Sequence, residues 1–233
     1  MSDAKPPPEP VVPEPVLPEP ALSEPVLPEP ALSEPAVPEP VLPESALPES
    51  VLPEIVHSEV VLRGHVFDIA RSTIRFPDGV EVEREVVLHP GAVAIIPVTD
   101  KGRWLLVRQY RHPARKPLLE IPAGTREPGE EPAVTAAREL REETGFAAGS
   151  IERIGGTWMA PGFCTEYIHY YLATSLRPDP LPPDADEHLS DPIAMTFDEV
   201  LAAIDHGEIE DAKTVAAVTL WQRRQVREEH RSL

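Results

Sequence analysis

The chain has 233 residues, with 40 acidic against 21 basic side chains and a formal net charge of −19. That balance argues against a nucleic-acid-binding protein and against an anionic membrane surface as partner, because both affinities come from clustered Lys and Arg. Cys164 is the single cysteine, which excludes an intrachain disulfide framework and a thiolate zinc site. No apolar run approaches membrane-spanning length and MSDAKPPPEP lacks an apolar leader, so a soluble, cytoplasmic protein is expected.

Seventeen of the 31 prolines lie between Pro6 and Pro53, where a five-residue pattern, [Pro/Ser]-Glu-[Pro/Ser]-[Val/Ala]-[Leu/Val], recurs nine times. Proline removes donors and fixes backbone angles, and glutamate at every fifth position adds self-repulsion. Residues 1–55 are therefore expected to be a disordered, polyproline-rich solvated tail that serves as a spacer or solubilising arm, or else as a ligand for a proline-recognising domain.

Residues 56–233 read as one folded unit. Extended stretches are predicted at Glu59–Phe76 and Val80–Leu88 around the turn Pro77-Asp78-Gly79. Ala92–Val98 and Trp104–Tyr110, joined by Asp100-Lys101-Gly102, read as a hairpin, and Leu118–Ile121 as a short strand. A helix is predicted to start at Pro132 and stop at Gly145, with Val134, Ala137 and Leu140 on its buried stripe. Strands follow at Ile151–Trp158, Ile168–Thr174 and Ile193–Phe197, then helices at Asp198–His206 and from Thr214 to about His230. Runs of strands with one helix between and two at the end predict a mixed α/β or α+β fold.

Within the central helix Glu139, Glu142 and Glu143 share a face, since Glu143 lies about 40° around the axis from Glu139 and Glu142 about 60° to the other side. Taken alone, the three also read as a solvated face paired with Arg138. A hard cation would turn their mutual repulsion into binding, and carboxylate oxygens without thiolate or imidazole favour Mg²⁺ or Mn²⁺ over zinc. Such a cation would bridge phosphate oxygens and lower the pKa of a bound water.

The wider spacing decides between the two readings. Gly124-x5-Glu130-x7-Arg138-Glu139-Leu140-x-Glu142-Glu143-x-Gly145-Phe146 resembles the signature of the Nudix hydrolases, with every specified position filled. The resemblance implies the Nudix fold, a mixed sheet between helices, and hydrolysis of a nucleoside diphosphate linked to another moiety. It makes Glu139 and Glu143 the principal metal ligands, with Glu142 assisting and the Ala123 carbonyl as a backbone ligand. Glu130 and Arg138 would hold the loop to the helix by ion pairing, and Gly124 and Gly145 would serve backbone geometry.

The flanks, VRQYRHPARKPLLEIPAG (Val107–Gly124), APGFCTEYIHYYLA (Ala160–Ala173) and GEIEDAKTVAAV (Gly207–Val218), resemble the ADP-ribose pyrophosphatase group of that family. By this resemblance Arg111 contacts the diphosphate, Glu120 and Glu166 help hold substrate or metal-bound water, and Pro161, Gly162 and Phe163 shape the floor under the terminal ribose. A loop carboxylate, Glu187 in the stretch Asp184-Ala185-Asp186-Glu187, is the expected general base. The expected reaction gives AMP and ribose 5-phosphate from ADP-ribose. Nucleotide sugars, NADH and dinucleoside polyphosphates are the alternative substrates, and a non-catalytic nucleotide-binding module is the alternative role. Residues 57–90 resemble the N-terminal sheet through which these enzymes form homodimers, leaving 91–233 as the catalytic core. Trp104, Trp158 and Trp221 read as core, and His65, His89 and His169 as structural.

Overall fold

The computed structural model describes residues 52–182 and 189–231. Nearly all of the predicted tail and the candidate base Glu187 lie outside the described residues.

Three antiparallel strands come first: β1 (Glu54–Arg63), β2 (Asp68–Arg75) and β3 (Glu81–Leu88). The single run expected over Glu59–Phe76 is therefore two strands. The chain reverses between them, and the Asp68 carboxylate accepts from the Gly64 backbone N–H (3.2 Å) and the Arg63 guanidinium (3.2 Å). The sheet begins at Glu54, inside the stretch assigned to the tail. β1 is exposed along its whole length, with Ile55, Val60, Val61 and Leu62 among its uncovered side chains.

Next come β4 (Ala92–Pro97), β5 (Trp104–Arg111), β6 (Lys116–Glu120), β7 (Ala123–Thr125) and α1 (Pro132–Thr144). They are followed by β8 (Phe146–Trp158), β9 (Tyr167–Pro178), β10 (Ile193–Met195), α2 (Phe197–Asp205) and α3 (Ala212–Arg231). β7-β4-β9-β8 form one sheet, in which β4 and β9 run parallel, and β10-β5-β6 form another. The expected hairpin of β4 with β5 does not form. The turn after Val98 is there, but the two strands share only the Val98–Trp104 bridge and enter different sheets. All six residues of β4 are buried, so it sits centrally between β7 and β9, whereas the second half of β5 carries Arg108, Gln109 and Arg111 toward the surface. An apolar run buried on both faces suits an interior strand better than one arm of a hairpin.

The four-stranded sheet has a core on each side. Val93, Ile95, Tyr171 and Ala173 pack against Ala136 and Leu140 of α1. On the other face Ala94, Ile96, Tyr170 and Leu172 meet Trp104 and Leu106 of β5, Val200 of α2, and Ala217 and Val218 of α3. The result is the mixed sheet between helices expected from the sequence. The α1 stripe is Ala136 and Leu140, with Ala133 and Ala137 at its margin, and Val134 is 50% exposed. Thr196 and Glu199 form a reciprocal capping box at α2, which moves Phe197 from the predicted strand into the helix. None of the described helices is long and apolar enough to cross a membrane.

Candidate active site

Two local devices bring α1 against the loop before it. Gly145 closes the helix at φ 75°, the left-handed cap that glycine adopts without a Cβ penalty, and donates its N–H to the Arg141 carbonyl. At the other end, the Glu130 carboxylate accepts from Thr135 Oγ1 (2.9 Å), the Glu127 N–H (3.2 Å) and Arg138 Nε (3.3 Å). Burial would push the Glu130 carboxyl up, but Arg138 and these donors bring it below the usual carboxylate range. Arg138 also reaches Glu142 (2.8 Å) and Glu139 (2.9 Å) through Nη1, so one guanidinium ties three carboxylates to the loop.

Glu139 and Glu143 are buried at 6% and 4% exposure, unusual for carboxylates on a helix flank. Their position follows from the neighbouring strand. The Ala123 N–H donates to Glu143 Oε2 (3.1 Å), and a Cβ on Gly124 would lie 1.9 Å from the Glu139 carboxylate. Gly124 was expected to relieve a turn. It lies in β7 instead, and its missing side chain leaves room for Glu139 to approach the backbone. Among the described residues no three His, Cys, Asp or Glu side chains already form a metal cage. Arg138 holds Glu142 and bridges to Glu139. Two buried carboxylates against one strand, with a third on the same helical face, still make an all-oxygen donor set of the kind hard cations take.

Arg111, at the end of β5, sits beside this group. Its Nε donates to Glu120 Oε1 (3.0 Å) and its Nη2 to Oε2 (2.7 Å), a bidentate fork across the β5–β6 pair. The charge of Glu143 also acts on it, so although burial lowers the Arg111 pKa, Glu120 and Glu143 leave it raised. Glu120 is 1% exposed. Burial favours its neutral form, but Arg111 and Lys213 outweigh that and hold its carboxyl low. Lys213 is a residue that sequence reasoning missed. Buried at the start of α3, its Nζ contacts Glu120 and also Asp211 Oδ1 (3.0 Å). Thr214, also missed, accepts the Ile121 N–H at Oγ1 (3.0 Å). No local signal marks Lys213, because its partner Glu120 stands 93 residues away.

The Pro161-Gly162-Phe163 turn lies between β8 and β9, with Phe163 60% exposed. It is docked on the N-terminal sheet: the Phe163 carbonyl accepts from the Val87 N–H (2.8 Å), and the Thr165 N–H donates to the Val87 carbonyl (2.9 Å). Glu166 follows, half-buried, its backbone N–H directed at Cys164 Sγ (3.4 Å). Burial first, then the charges of Asp211 and Glu166, push the Tyr170 hydroxyl up to about 12 against a hydrogen bond to Thr157. Trp104 is core and packs edge-on against Trp221, but Trp158 is 56% exposed at the end of β8, which corrects the reading of all three tryptophans as interior.

A family model described as "NUDIX domain" matches residues 88–218. The chain is 38% identical over 164 residues to an ADP-ribose pyrophosphatase of Bacillus subtilis (strain 168), covering 70% of this chain and 88% of that one. It is 42% identical over 164 residues, with the same coverage, to a methanol dehydrogenase activator of Bacillus methanolicus. Among solved structures, the crystal structure of an ADP compounds hydrolase matches at a TM-score of 0.68 and 26% identity, over 76% of this chain and 95% of that one. The buried glutamates, the loop they close on and the flanking strands fall within the matched residues 88–218, and the chain belongs to the Nudix hydrolase family.

Proposed function

We propose that this chain hydrolyses the diphosphate bond of ADP-ribose, giving AMP and ribose 5-phosphate, with Mg²⁺ or Mn²⁺ as its metal. The observation that carries the reading is the pair of buried carboxylates, Glu139 and Glu143, folded back on Ala123 and Gly124. The names of the relatives supply the choice of ADP-ribose among nucleoside diphosphate compounds.

Glu139, Glu143, Glu142 and the Ala123 carbonyl would hold the cation. When bound, it supplies positive charge to the diphosphate oxygens and acidity to a coordinated water. Arg111 spends one edge of its guanidinium on Glu120, and its outer edge then donates to the diphosphate. Because Glu120 is itself braced by Lys213, the fork is set before substrate arrives, which lowers the cost of orienting it. Glu166 holds substrate or water from the β8–β9 side, while Pro161, Gly162 and Phe163 lie under the terminal ribose. Glu187 accepts the proton of the attacking water. The exposed apolar side chains of β1 support a homodimer formed through the N-terminal sheet, and the excess of acidic over basic side chains supports a cytoplasmic enzyme with no nucleic acid or anionic membrane as partner.

The test is a panel of ADP-ribose, a nucleotide sugar, NADH and a dinucleoside polyphosphate incubated with Mg²⁺, with products separated by chromatography. ADP-ribose should be consumed fastest, and Glu143→Gln should lower its turnover by orders of magnitude while the melting temperature holds. A nucleotide sugar consumed while ADP-ribose stays intact would overturn the substrate. Full activity in Glu143→Gln would overturn the metal assignment, and no cleavage of any compound would leave a binding module.

A further inference from the structure

Seven described arginines are half-buried: Arg103, Arg111, Arg126, Arg138, Arg141, Arg153 and Arg224. Five of them hold a carboxylate within 4 Å. Arg126 and Arg153 hold none among the described residues, in a chain with nearly twice as many acids as bases. These are also the two arginines whose charges act on His169. Nε of each arginine and Nδ1 of His169 are buried without a hydrogen-bond partner, while Arg126 Nη2 donates to the Glu130 carbonyl (2.7 Å). A buried polar nitrogen left unpaired costs stability, so three of them on one face of a sheet call for a use.

Strand register puts the three on the α1 face of the four-stranded sheet. Gly124, Val93, His169 and Gly156 form one row across β7, β4, β9 and β8. Arg153 stands opposite Tyr171 in the adjacent row, and Tyr171 packs on α1. On the other side the Arg126 N–H donates to the Gly91 carbonyl (3.1 Å), and its side chain lies over Gly91. Tyr167 packs edge-on against both His169 (5.0 Å between centroids) and Trp158 (5.1 Å), and Trp158 is exposed at the far end of this row of rings. With strands about 4.8 Å apart, His169 stands roughly 10 Å from Gly124, on the same face as Glu139 but two strands away.

We propose that Arg126, Arg153 and His169 form a second anion site, which takes the phosphate of a small phosphomonoester whose ring stacks on Trp158. The Arg153 fork, the donors of Arg126 that Glu130 leaves free and a neutral imidazole N–H match the three outer oxygens of such a phosphate. An indole half open to solvent offers a face to a nucleobase. His169 is held neutral, down at about 4, by burial and by Arg153 and Arg126, so it can serve as a donor beside the two cations without adding a third charge. The site needs no metal, which separates it from the glutamate cluster.

The experiment is calorimetry on the full chain in EDTA with inorganic phosphate, AMP and adenosine. Phosphate and AMP should bind, AMP the tighter, and adenosine should not. Arg153→Gln and Arg126→Gln should each weaken AMP at least tenfold, Trp158→Ala should weaken AMP but not phosphate, and Glu143→Gln should change neither. If a glutamine variant fails to fold, Arg153→Lys replaces it, with a several-fold loss expected because the fork is gone. No uptake of phosphate or AMP at millimolar concentration would overturn the proposal. So would AMP binding that survives in folded arginine variants, or that disappears in Glu143→Gln.

Discussion

Gly124→Ala isolates the geometric claim about Glu139. An added methyl would lie 1.9 Å from Cδ and Oε1 of Glu139 and 2.4 Å from Oε2, where ordinary contact begins at 3.4 Å. The carboxylate must therefore retreat by about 1.5 Å, because Gly124 is held by its pairing with Val93 on the buried strand β4. Gly124 is not among the positive-φ glycines, so alanine adds no backbone strain and reduces the freedom of the unfolded chain by about 0.4–1 kcal/mol. Moving Glu139 off its rotamer costs a similar amount, about 0.5–1.5 kcal/mol, and the melting temperature should stay within a few degrees of wild type. Catalysis does not share that tolerance. A misplacement of about 1 Å at a reacting centre costs on the order of 100-fold, so kcat on ADP-ribose should fall by at least that factor, with a higher metal concentration needed for half-activity. AMP release followed by chromatography, beside a thermal melt, reads both quantities. Wild-type turnover in Gly124→Ala would refute the idea that the glycine exists to admit Glu139, and failure to fold would refute the idea that only a side-chain tip is displaced.

Glu120→Gln should destabilise the fold by about 3 kcal/mol, since it leaves Lys213 and Arg111 facing a neutral amide in a buried position. The pH dependence carries the sign. The folded carboxyl sits below the ordinary glutamate value of about 4.3, so its pairs contribute fully above that pH and are lost as pH falls through the lower folded value. Melting temperature measured from pH 6 down to pH 3 should fall more steeply for wild type than for Glu120→Gln, and parallel curves would count against the pairing. Leu140→Ala removes a side chain with no exposure between α1 and the sheet and should cost about 2–5 kcal/mol in urea unfolding, with kcat lost only where the protein unfolds.

What could be read from the sequence was what the chain writes locally. The spacing of Glu130, Arg138, Glu139, Glu142 and Glu143 lies within fourteen residues, and Pro132 and Gly145 mark the helix ends within one position of those observed. The strand at Ala123–Thr125 was not legible, because three residues after a proline carry no alternation and pair only through the buried β4. The β4–β5 hairpin misled for the opposite reason. Its turn chemistry is correct, but burial of both faces of β4 draws that strand to β9, some 75 residues away. Val134 fell on the wrong side of the stripe because the helix buries two glutamates, an arrangement that hydrophobic spacing does not anticipate.

The same limit explains Lys213. Its role depends on the start of α3 meeting the end of β6, where Lys213 reaches Glu120 and the Ile121 N–H donates to Thr214, while Lys116 at the start of β6 pairs with Glu210 just before the helix. Glu120 and Ile121 lead through Pro122 directly into Ala123, whose N–H holds Glu143. Glu120 also grips Arg111. The C-terminal helix therefore fixes one short segment whose Glu120 grips Arg111 at one end and whose Ala123 N–H holds Glu143 at the other. A residue outside the Nudix signature thus sets the distance between the two parts of the site, and no local pattern around it records that.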